Sequence, residues 1–210
     1  MTVWRRAYAA VGIYVGGVDA ACTFGNLSAS WVRSATRMGW GLLPIYVGPQ
    51  APCYGGGVTI NPRNAAAEGM AAGTDAVADE RLFGLPAGSP VYYDMEAYDN
   101  ELSSCSAAVL TFLGAWDRTV LARGYLPGVY SSQDSGIVDM QAAAVAKRPG
   151  FTAPTAIWIA HWDNVATLAD GTLVWPLRDR NKQYQGPHNK TVGGITLNID
   201  SDLSGGVLAR

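Results

Sequence analysis

The sequence lacks any run of basic residues and any long apolar run. Its 15 Lys and Arg are balanced by 17 Asp and Glu, which gives a formal net charge of -2 at pH 7. Proteins that bind nucleic acid or anionic membranes carry clustered positive charge, so we expect neither as a partner. No stretch approaches the ~18 consecutive apolar residues of a membrane-spanning helix, so we predict no membrane span. Neutral substrates are easier to reconcile with this charge balance.

Phenylalanine is scarce, because the chain has only 4 Phe against 7 Trp and 10 Tyr. Tyr and Trp combine a large apolar ring with one polar group, and such rings line interfaces and sugar-binding sites. Ordinary core packing accounts for about half of them. The composition therefore favours a site that binds a polar and uncharged ligand.

Motifs for metals, nucleotides and a nucleophilic serine are also missing. The glycine-rich residues 55–57 lack the Lys and the following Ser or Thr of a phosphate-binding loop. The serines at 131–132 lack the Gly-x-Ser-x-Gly context of a serine hydrolase. The three cysteines, Cys22, Cys53 and Cys105, have neither CxxC spacing nor a nearby His, so a zinc site is not expected. We predict no metal and no cofactor.

The odd number of cysteines leaves at least one of them unpaired. Two of the three could form a disulfide bond in an exported protein. Their spacing in the sequence does not say which two.

Residues 5–22 combine two arginines with an apolar segment and could pass for an export signal that ends at Cys22. The segment is rich in Gly and Tyr, and Asp19 lies just before the supposed cleavage region. Residues 11–15 fit a buried strand equally well. We therefore interpret this segment as part of the fold.

With 210 residues, of which 49% are apolar and 15% charged, the chain is long enough for one buried core, and we predict a single domain over residues 1–210. Strands predicted at 11–15, 42–47, 91–96, 127–131 and 156–160 alternate with helices predicted at 28–38, 62–83, 107–123 and 138–147. This alternation indicates parallel β/α units. The tail departs from it, because residues 172–175, 182–185 and 194–199 resemble strands without intervening helices.

Asp94 and Glu96 end the apolar run that begins at Pro90. In a strand, residues two apart point to the same side and lie about 6.6 Å apart, so both carboxylates would face one space. The carboxyl ends of strands are where α/β barrels hold their active sites. One acid could stay neutral as a proton donor while the other is ionised and stabilises positive charge on a sugar ring. The alternative is a solvated strand end.

Similar residues occur at other predicted strand ends. Since these ends lie on one face of a parallel barrel, we expect their side chains to converge there. The candidates are Tyr46, Tyr130, Trp158, His161, Trp162, Gln183, Asp200 and Asp202. His161 alone is more often structural than catalytic. Asp200 and Asp202 could bind a cation, but nothing like an EF-hand loop surrounds them.

These motifs, taken in order, resemble a known family. They are GIYVGG at 12–17, LPIYVG at 43–48, QAPC at 50–53, VYYDMEAYD at 91–99, GVYSS at 128–132, IWIA at 157–160, QY at 183–184 and GGIT at 193–196, followed by Asp200. Together they resemble the DUF1906 group of actinobacterial glycoside-hydrolase-like domains, which are similar to family 25 lysozymes. The resemblance covers nearly the whole chain.

The resemblance implies an α/β fold, a modified TIM barrel of five β/α units followed by strands. It also implies a secreted or cell-envelope protein and peptidoglycan, or another polysaccharide, as the partner. Glu96 corresponds to the general acid of the lysozyme relatives and Asp94 to its assisting carboxylate, and Asp200 joins them as a catalytic residue. The other candidates would bind substrate: Tyr46, Tyr130, Trp158, His161, Trp162, Gln183 and Asp202. We expect a monomer.

The chain departs from this family at its beginning. Members open with a strand of the Gly-Phe-Asp-Thr-Cys type before the segment that matches Trp4 onward, so we expect this barrel to lack its first strand. Cys53 and Cys105 lie on loops that should emerge on one face, beside the strands of Tyr46 and Asp94. We expect any native disulfide to join these two and to leave Cys22 unpaired.

Two functions of different class remain at this point. The first is a muramidase-like glycoside hydrolase that uses Glu96 and Asp94. The second is a non-catalytic peptidoglycan-binding domain that keeps the cleft and its aromatic rings.

Overall fold

A computed structural model of the protein describes residues 1–21, 26–171 and 173–210. The strands and helices, in chain order, are β1 (Ala10–Gly16), α1 (Ala29–Arg37), β2 (Gly41–Tyr46), α2 (Ala65–Leu82), β3 (Pro90–Asp94), α3 (Ser103–Ala122), β4 (Leu126–Ser132), α4 (Val138–Val145), β5 (Ala156–Ala160), β6 (Arg180–Val192) and β7 (Ile195–Ser204). Short 3-10 helices at Trp4–Arg6 and Leu177–Asp179 and a π-helical turn at Gln133–Ile137 complete the described elements.

The seven strands form one sheet in the order of the sequence. Strands β1 to β6 are parallel, and β7 returns antiparallel to β6. The sheet curves into a nearly closed barrel, with β1 and β7 as its two edges. This confirms the predicted α/β class and the modified TIM barrel. After β5 a loop with a short 3-10 helix replaces the α-helix that follows each earlier strand.

The two faces of the strands bury different sets of side chains. Leu43, Ile45, Tyr92, Ala156 and Trp158 form an apolar cluster inside the barrel. Within it, the rings of Tyr92 and Trp158 meet edge to face with their centroids 5.5 Å apart. Because side chains alternate along a strand, the neighbouring residues point outward to the helices.

The outward face packs mainly against α2 and α3. Tyr93 lies edge to face against Trp116 of α3, with ring centroids 4.9 Å apart. Gly69 and Gly73 of α2 let this helix approach α3 closely, since a Cβ on Gly69 would collide with the main chain of Phe112. The barrel and its helical layer therefore share one large core on the outer side of the sheet.

Helix α2 begins three residues later than predicted, at Ala65 instead of Pro62. The side-chain oxygen of Asn61, just before the predicted start, accepts a hydrogen bond from the Arg63 N–H at 3.0 Å and so closes a turn. The carboxylate of Glu68 accepts from the Asn61 N–H at 2.9 Å. The first turn of the helix is thus held to the loop before it, and residues 61–64 stay outside the helix.

The strand predicted at 172–175 was wrong for residues 173–175, and residue 172 lies outside the described part of the chain. The guanidinium of Arg180 donates hydrogen bonds to the backbone carbonyls of Leu168, Gly171, Leu173 and Trp175. These carbonyls are satisfied by a side chain instead of a neighbouring strand. The segment therefore forms a loop folded around one arginine.

The fragments predicted at 182–185 and 194–199 belong to one long hairpin of β6 and β7. Its two-residue turn is Gly193 and Gly194, which have φ angles of 54° and 79°. Glycine adopts this left-handed region without strain, and such turns match the twist of paired strands. The far part of the hairpin extends beyond β5, which pairs with β6 only as far as Gln183.

Cys53 and Cys105 form a disulfide bond, with a Cα–Cα distance of 5.9 Å. This confirms the expected pairing; Cys22 lies outside the described residues. The bond ties the loop after β2 to the start of α3. Among the described residues, none of the helices is long and apolar enough to cross a membrane.

We predict that Cys53→Ser with Cys105→Ser lowers the free energy of unfolding. The bond closes a loop with a sequence separation of 52 residues, and loop-closure entropy for that length corresponds to about 4 kcal/mol. Urea unfolding of the oxidised chain and of the double variant measures the difference. Equal midpoints, with the bond verified by mass spectrometry in the parent chain, would contradict the prediction.

Candidate active site

A cavity of about 560 Å³ opens between the two edges of the barrel. Its walls come from β1, from the carboxyl ends of the middle strands and from the β6–β7 hairpin. The lining residues are Val11, Gly12, Tyr14, Ile45, Asp94, Glu96, Tyr130, Trp158, Trp162, Gln183, Pro187, Asn198, Ile199, Asp200 and Asp202. Eight of the ten candidate residues from the sequence are among them, so the structure brings most of the predicted set together.

Asp94 is the last residue of β3, and Glu96 lies two residues beyond it. Asp94 is only 8% exposed, whereas Glu96 is exposed. One carboxylate oxygen of Asp94 is buried without a hydrogen-bond partner among the described residues. The two acids thus face the same cavity from different depths.

Burial, together with the nearby charge of Glu96, raises the pKa of Asp94 to about 7. Burial raises the pKa of Glu96 as well. Of the two acids, Asp94 has the larger shift. Below neutral pH the buried acid holds a proton, and the pair can offer both a neutral and an ionised carboxyl group.

Asp200 and Asp202 face the cavity from β7. We had predicted that both lie at the end of a strand, but they lie inside β7. Because β7 runs antiparallel to the other strands, its middle reaches the same end of the barrel. The Trp158 Nε1–H donates to Asp202 at 2.8 Å. Burial nevertheless raises the pKa of Asp202 to about 7 and raises that of Asp200.

Gln183 connects three of the cavity side chains. Its Oε1 accepts hydrogen bonds from the Tyr130 hydroxyl at 3.0 Å and from the Trp162 Nε1–H at 2.6 Å. Its Nε2 donates to Asp200 at 3.2 Å. The side chain predicted to bind substrate therefore also orients other members of the site.

Trp162 is the most exposed aromatic residue of this wall, at 58% exposure. Its six-membered ring lies over Gly186, where a Cβ would approach the ring carbons to 2.8 Å. Together with the bond to Gln183, this contact fixes the ring at the mouth of the cavity. An exposed and immobile aromatic face is suited to stacking on an apolar face of a ligand.

A second cavity of about 380 Å³ adjoins the first. Tyr14, Asp94 and Glu96 line both cavities. Further lining residues come from the disulfide-bonded loop, and they include Gln50, Tyr54, Gly56 and Gly57. The two acids therefore stand where the two cavities meet.

Tyr46 lies outside both cavities, contrary to the expectation that it would bind substrate. It pairs with Tyr93 across β2 and β3, and both rings point outward to the helices. The Tyr46 hydroxyl donates to Asp75 of α2 at 2.8 Å. Ile45, one residue earlier, is in phase with Asp94 and lines the cavity instead.

His161 also does not line either cavity. Its Nδ1 lies 2.8 Å from Asp170 and 3.6 Å from Asp163. These three residues could hold a metal ion by their spacing. However, the ammonium group of Lys182, which is fully buried, contacts Asp163 at 2.8 Å and Asp170 at 2.9 Å. The cluster is an ion-pair network that fastens the loop of Trp162 to β6.

Sequence reasoning missed Tyr14, Gln50 and Tyr54, which also line the cavities. Tyr14 could have been predicted, since it lies in the strand predicted at 11–15; it is 43% exposed in the structure. Gln50 and Tyr54 lie on a loop, where no periodicity indicates direction. The only earlier signal from this loop was the QAPC motif at 50–53, which formed part of the family resemblance.

Comparison with known proteins agrees with the fold. The profile of a family described as "Rv2525c-like, glycoside hydrolase-like domain" matches residues 2–204. No curated protein matches the sequence. Three solved structures from different organisms are similar.

The Tat-secreted protein Rv2525c of Mycobacterium tuberculosis has 17% identity and a TM-score of 0.62, over 97% of this chain and 90% of that one. The modular autolysin LytC of Streptococcus pneumoniae has 13% identity and a TM-score of 0.56, over 96% of this chain and 42% of that one. The catalytic domain of endolysin ply40, from a Listeria monocytogenes phage, has 13% identity and a TM-score of 0.50, over 97% and 85%.

We predict that Asp94→Asn stabilises the protein at alkaline pH. The pKa of Asp94 rises from 3.8 to about 7 on folding, so its favourable contribution is complete below 3.8 and is lost as the pH rises towards 7. The asparagine stays neutral. Its melting temperature should exceed that of the parent by roughly 3 °C or more at about pH 8, and should match it at about pH 4.

Thermal melts at the two pH values measure this difference. Glu101→Gln, which removes an exposed acid outside both cavities, is the control. Equal destabilisation by Asp94→Asn at both pH values would contradict the assigned proton.

Proposed function

The chain belongs to the Rv2525c-like, glycoside hydrolase-like family, and we propose that it is a muramidase-like hydrolase acting on the glycan strands of peptidoglycan. The observation that carries this proposal is the position of Asp94 and Glu96, two acids with raised pKa values, at the junction of two cavities. Paired carboxylates with separated environments are the machinery of glycoside hydrolysis.

In the proposed reaction Glu96 is the general acid. Its proton passes to the glycosidic oxygen while the bond from that oxygen to the anomeric carbon breaks. A water molecule then supplies the new hydroxyl group at that carbon, and its remaining proton returns to the Glu96 carboxylate. Asp94 assists from the deeper position, where its neutral form can donate a hydrogen bond to the sugar. Asp200 contacts the sugar from the opposite wall.

The shape of the site favours a polymer as the substrate. A chain bound across Asp94 and Glu96 would place sugars in both cavities, which have volumes of about 560 and 380 Å³. The lining combines aromatic rings with amide and carboxyl groups, a set that suits uncharged sugars. The likeness to an autolysin and to an endolysin catalytic domain supports peptidoglycan as this polymer, and the Tat-secreted relative supports an exported protein.

A second candidate function is binding of the same polymer without cleavage. The observation that favours it is Trp162, whose ring is exposed and held by Gln183 independently of the two acids. Such a platform retains a saccharide whether or not Glu96 donates a proton. Cleavage therefore requires the acid of Glu96, whereas binding alone requires only the ring of Trp162.

We predict that Glu96→Gln reduces peptidoglycan cleavage by about 10²-fold or more, because the amide keeps the shape of the acid but has no proton to donate. Binding to the polymer should change little. Release of reducing ends from purified peptidoglycan measures cleavage, with Glu101→Gln as the matched exposed acid. Equal, measurable release by the parent chain and by Glu96→Gln would exclude Glu96 as the acid.

We predict that Trp162→Ala weakens binding to insoluble peptidoglycan by about tenfold, because loss of a stacking ring costs roughly 1–1.5 kcal/mol. Co-sedimentation gives the affinity. Leu82→Ala, which truncates an exposed apolar side chain of α2, is the control. If the parent chain binds without any cleavage and Trp162→Ala loses that binding, the second candidate function is the correct one.

A further inference from the structure

Gln50 is almost fully buried, at 2% exposure, and its side chain forms hydrogen bonds with three main-chain groups. Its Oε1 accepts a hydrogen bond from the Glu96 N–H at 2.8 Å. Its Nε2 donates to the Asp94 carbonyl at 2.9 Å and to the Gly48 carbonyl at 3.1 Å. One side chain therefore contacts the backbone of both proposed catalytic acids.

This arrangement imitates strand pairing. A carboxamide has the donor and the acceptor of a peptide group, and here it continues the pairing of β2 with β3 past the end of both strands. Register pairs between these strands stop at Tyr46 and Tyr93. On the other side of the segment, the Met95 N–H donates to the Tyr130 carbonyl at 3.0 Å. Residues 94–96 are thus held from both sides.

Gln50 is itself held rigidly. Its N–H donates to the Val58 carbonyl at 2.7 Å, and its carbonyl accepts from the Ile60 N–H at 2.8 Å. The Cys53–Cys105 disulfide closes the same loop. The amide group is therefore fixed before substrate arrives, and little further entropy is lost in ordering it.

We propose that Gln50 is a positioning residue that fixes the main chain of Asp94 and Glu96 and thereby sets how the two carboxyl groups meet the glycan. The inference rests on the proposed function of those acids. Gln50 acts through the main chain of the two acids. Its loss should misplace both acids, and small misplacements of reacting groups are costly in rate.

The first test does not depend on cleavage. Gln50→Met keeps the length of the side chain but removes both hydrogen-bonding groups. Amide hydrogen exchange at Glu96 should become about tenfold faster in this variant. Exchange at Met95, whose N–H is bonded to Tyr130, should stay unchanged. Unchanged protection at Glu96 would overturn the proposal.

The second test uses Gln50→Glu. Its neutral form has a donor and an acceptor like the amide, whereas its ionised form only accepts and adds charge beside Asp94 and Glu96. The variant should therefore recover cleavage at acid pH and lose it as the introduced glutamate ionises, while Gln50→Met stays about 10²-fold slower throughout. KM should change less than kcat in both variants, since the other residues that line the two cavities remain. Identical pH profiles of Gln50→Glu and the parent chain would count against the proposal.

Tyr125→Phe is the matched control, because it removes a buried hydroxyl that donates to the Leu85 carbonyl at 3.0 Å near the opposite end of β4. Cleavage by this variant should equal that of the parent; an equal loss would reduce Gln50 to a structural role. If the parent chain binds peptidoglycan but does not cleave it, the hydrolase function fails. Exchange at Glu96 then still decides the role of Gln50.

Discussion

The burial of Asp94 is the constraint on which the cleft depends. One of its oxygens has no hydrogen-bond partner among the residues that the structure describes, and an ionised carboxylate in that position would be costly. The pKa of Asp94 is therefore raised to about 7, and the group stays protonated below that pH. The apolar layer of Ile45, Tyr92 and Trp158 below it supplies the low dielectric. Above about pH 7 a neutral residue at this position would give higher stability, because the buried carboxyl group must then ionise.

Burial alone does not identify a functional acid. Glu80 and Asp117 are more deeply buried than Asp94, and the pKa of each is raised, to about 9 for Glu80. Both lie on helices, and neither lines the two cavities described above. A ligand cannot reach them by these routes. What distinguishes Asp94 is a raised pKa combined with a cavity and with a second acid, Glu96, which reaches the same space.

Much of the barrel and of the site could be predicted because local patterns determine them. The period of two placed Asp94 and Glu96 on one side of a strand end, and the alternation of strands and helices gave the parallel sheet. We placed Tyr46 in the site because it lies near a strand end, without asking which face of the strand its side chain occupies. Ile45 is in register with Tyr92, and counting two residues on from Tyr92 leads to Asp94. Ile45 therefore faces the cavity together with Asp94, and Tyr46, one residue later, faces the helices.

The loop between β5 and β6 could not be predicted, because its structure depends on contacts between charged groups that are separated in the sequence. Lys182 is buried against Asp163 and Asp170, and no local pattern encodes this network. These ion pairs stabilise the loop of Trp162 while Lys182 and the two acids are ionised. The wall with Trp162 thus depends on charge, whereas the facing wall depends on a neutral carboxyl at Asp94. The two walls therefore respond oppositely to pH. Acid removes the charges of Asp163 and Asp170, whose pKa values are lowered, whereas a rise through about pH 7 ionises Asp94 and costs stability.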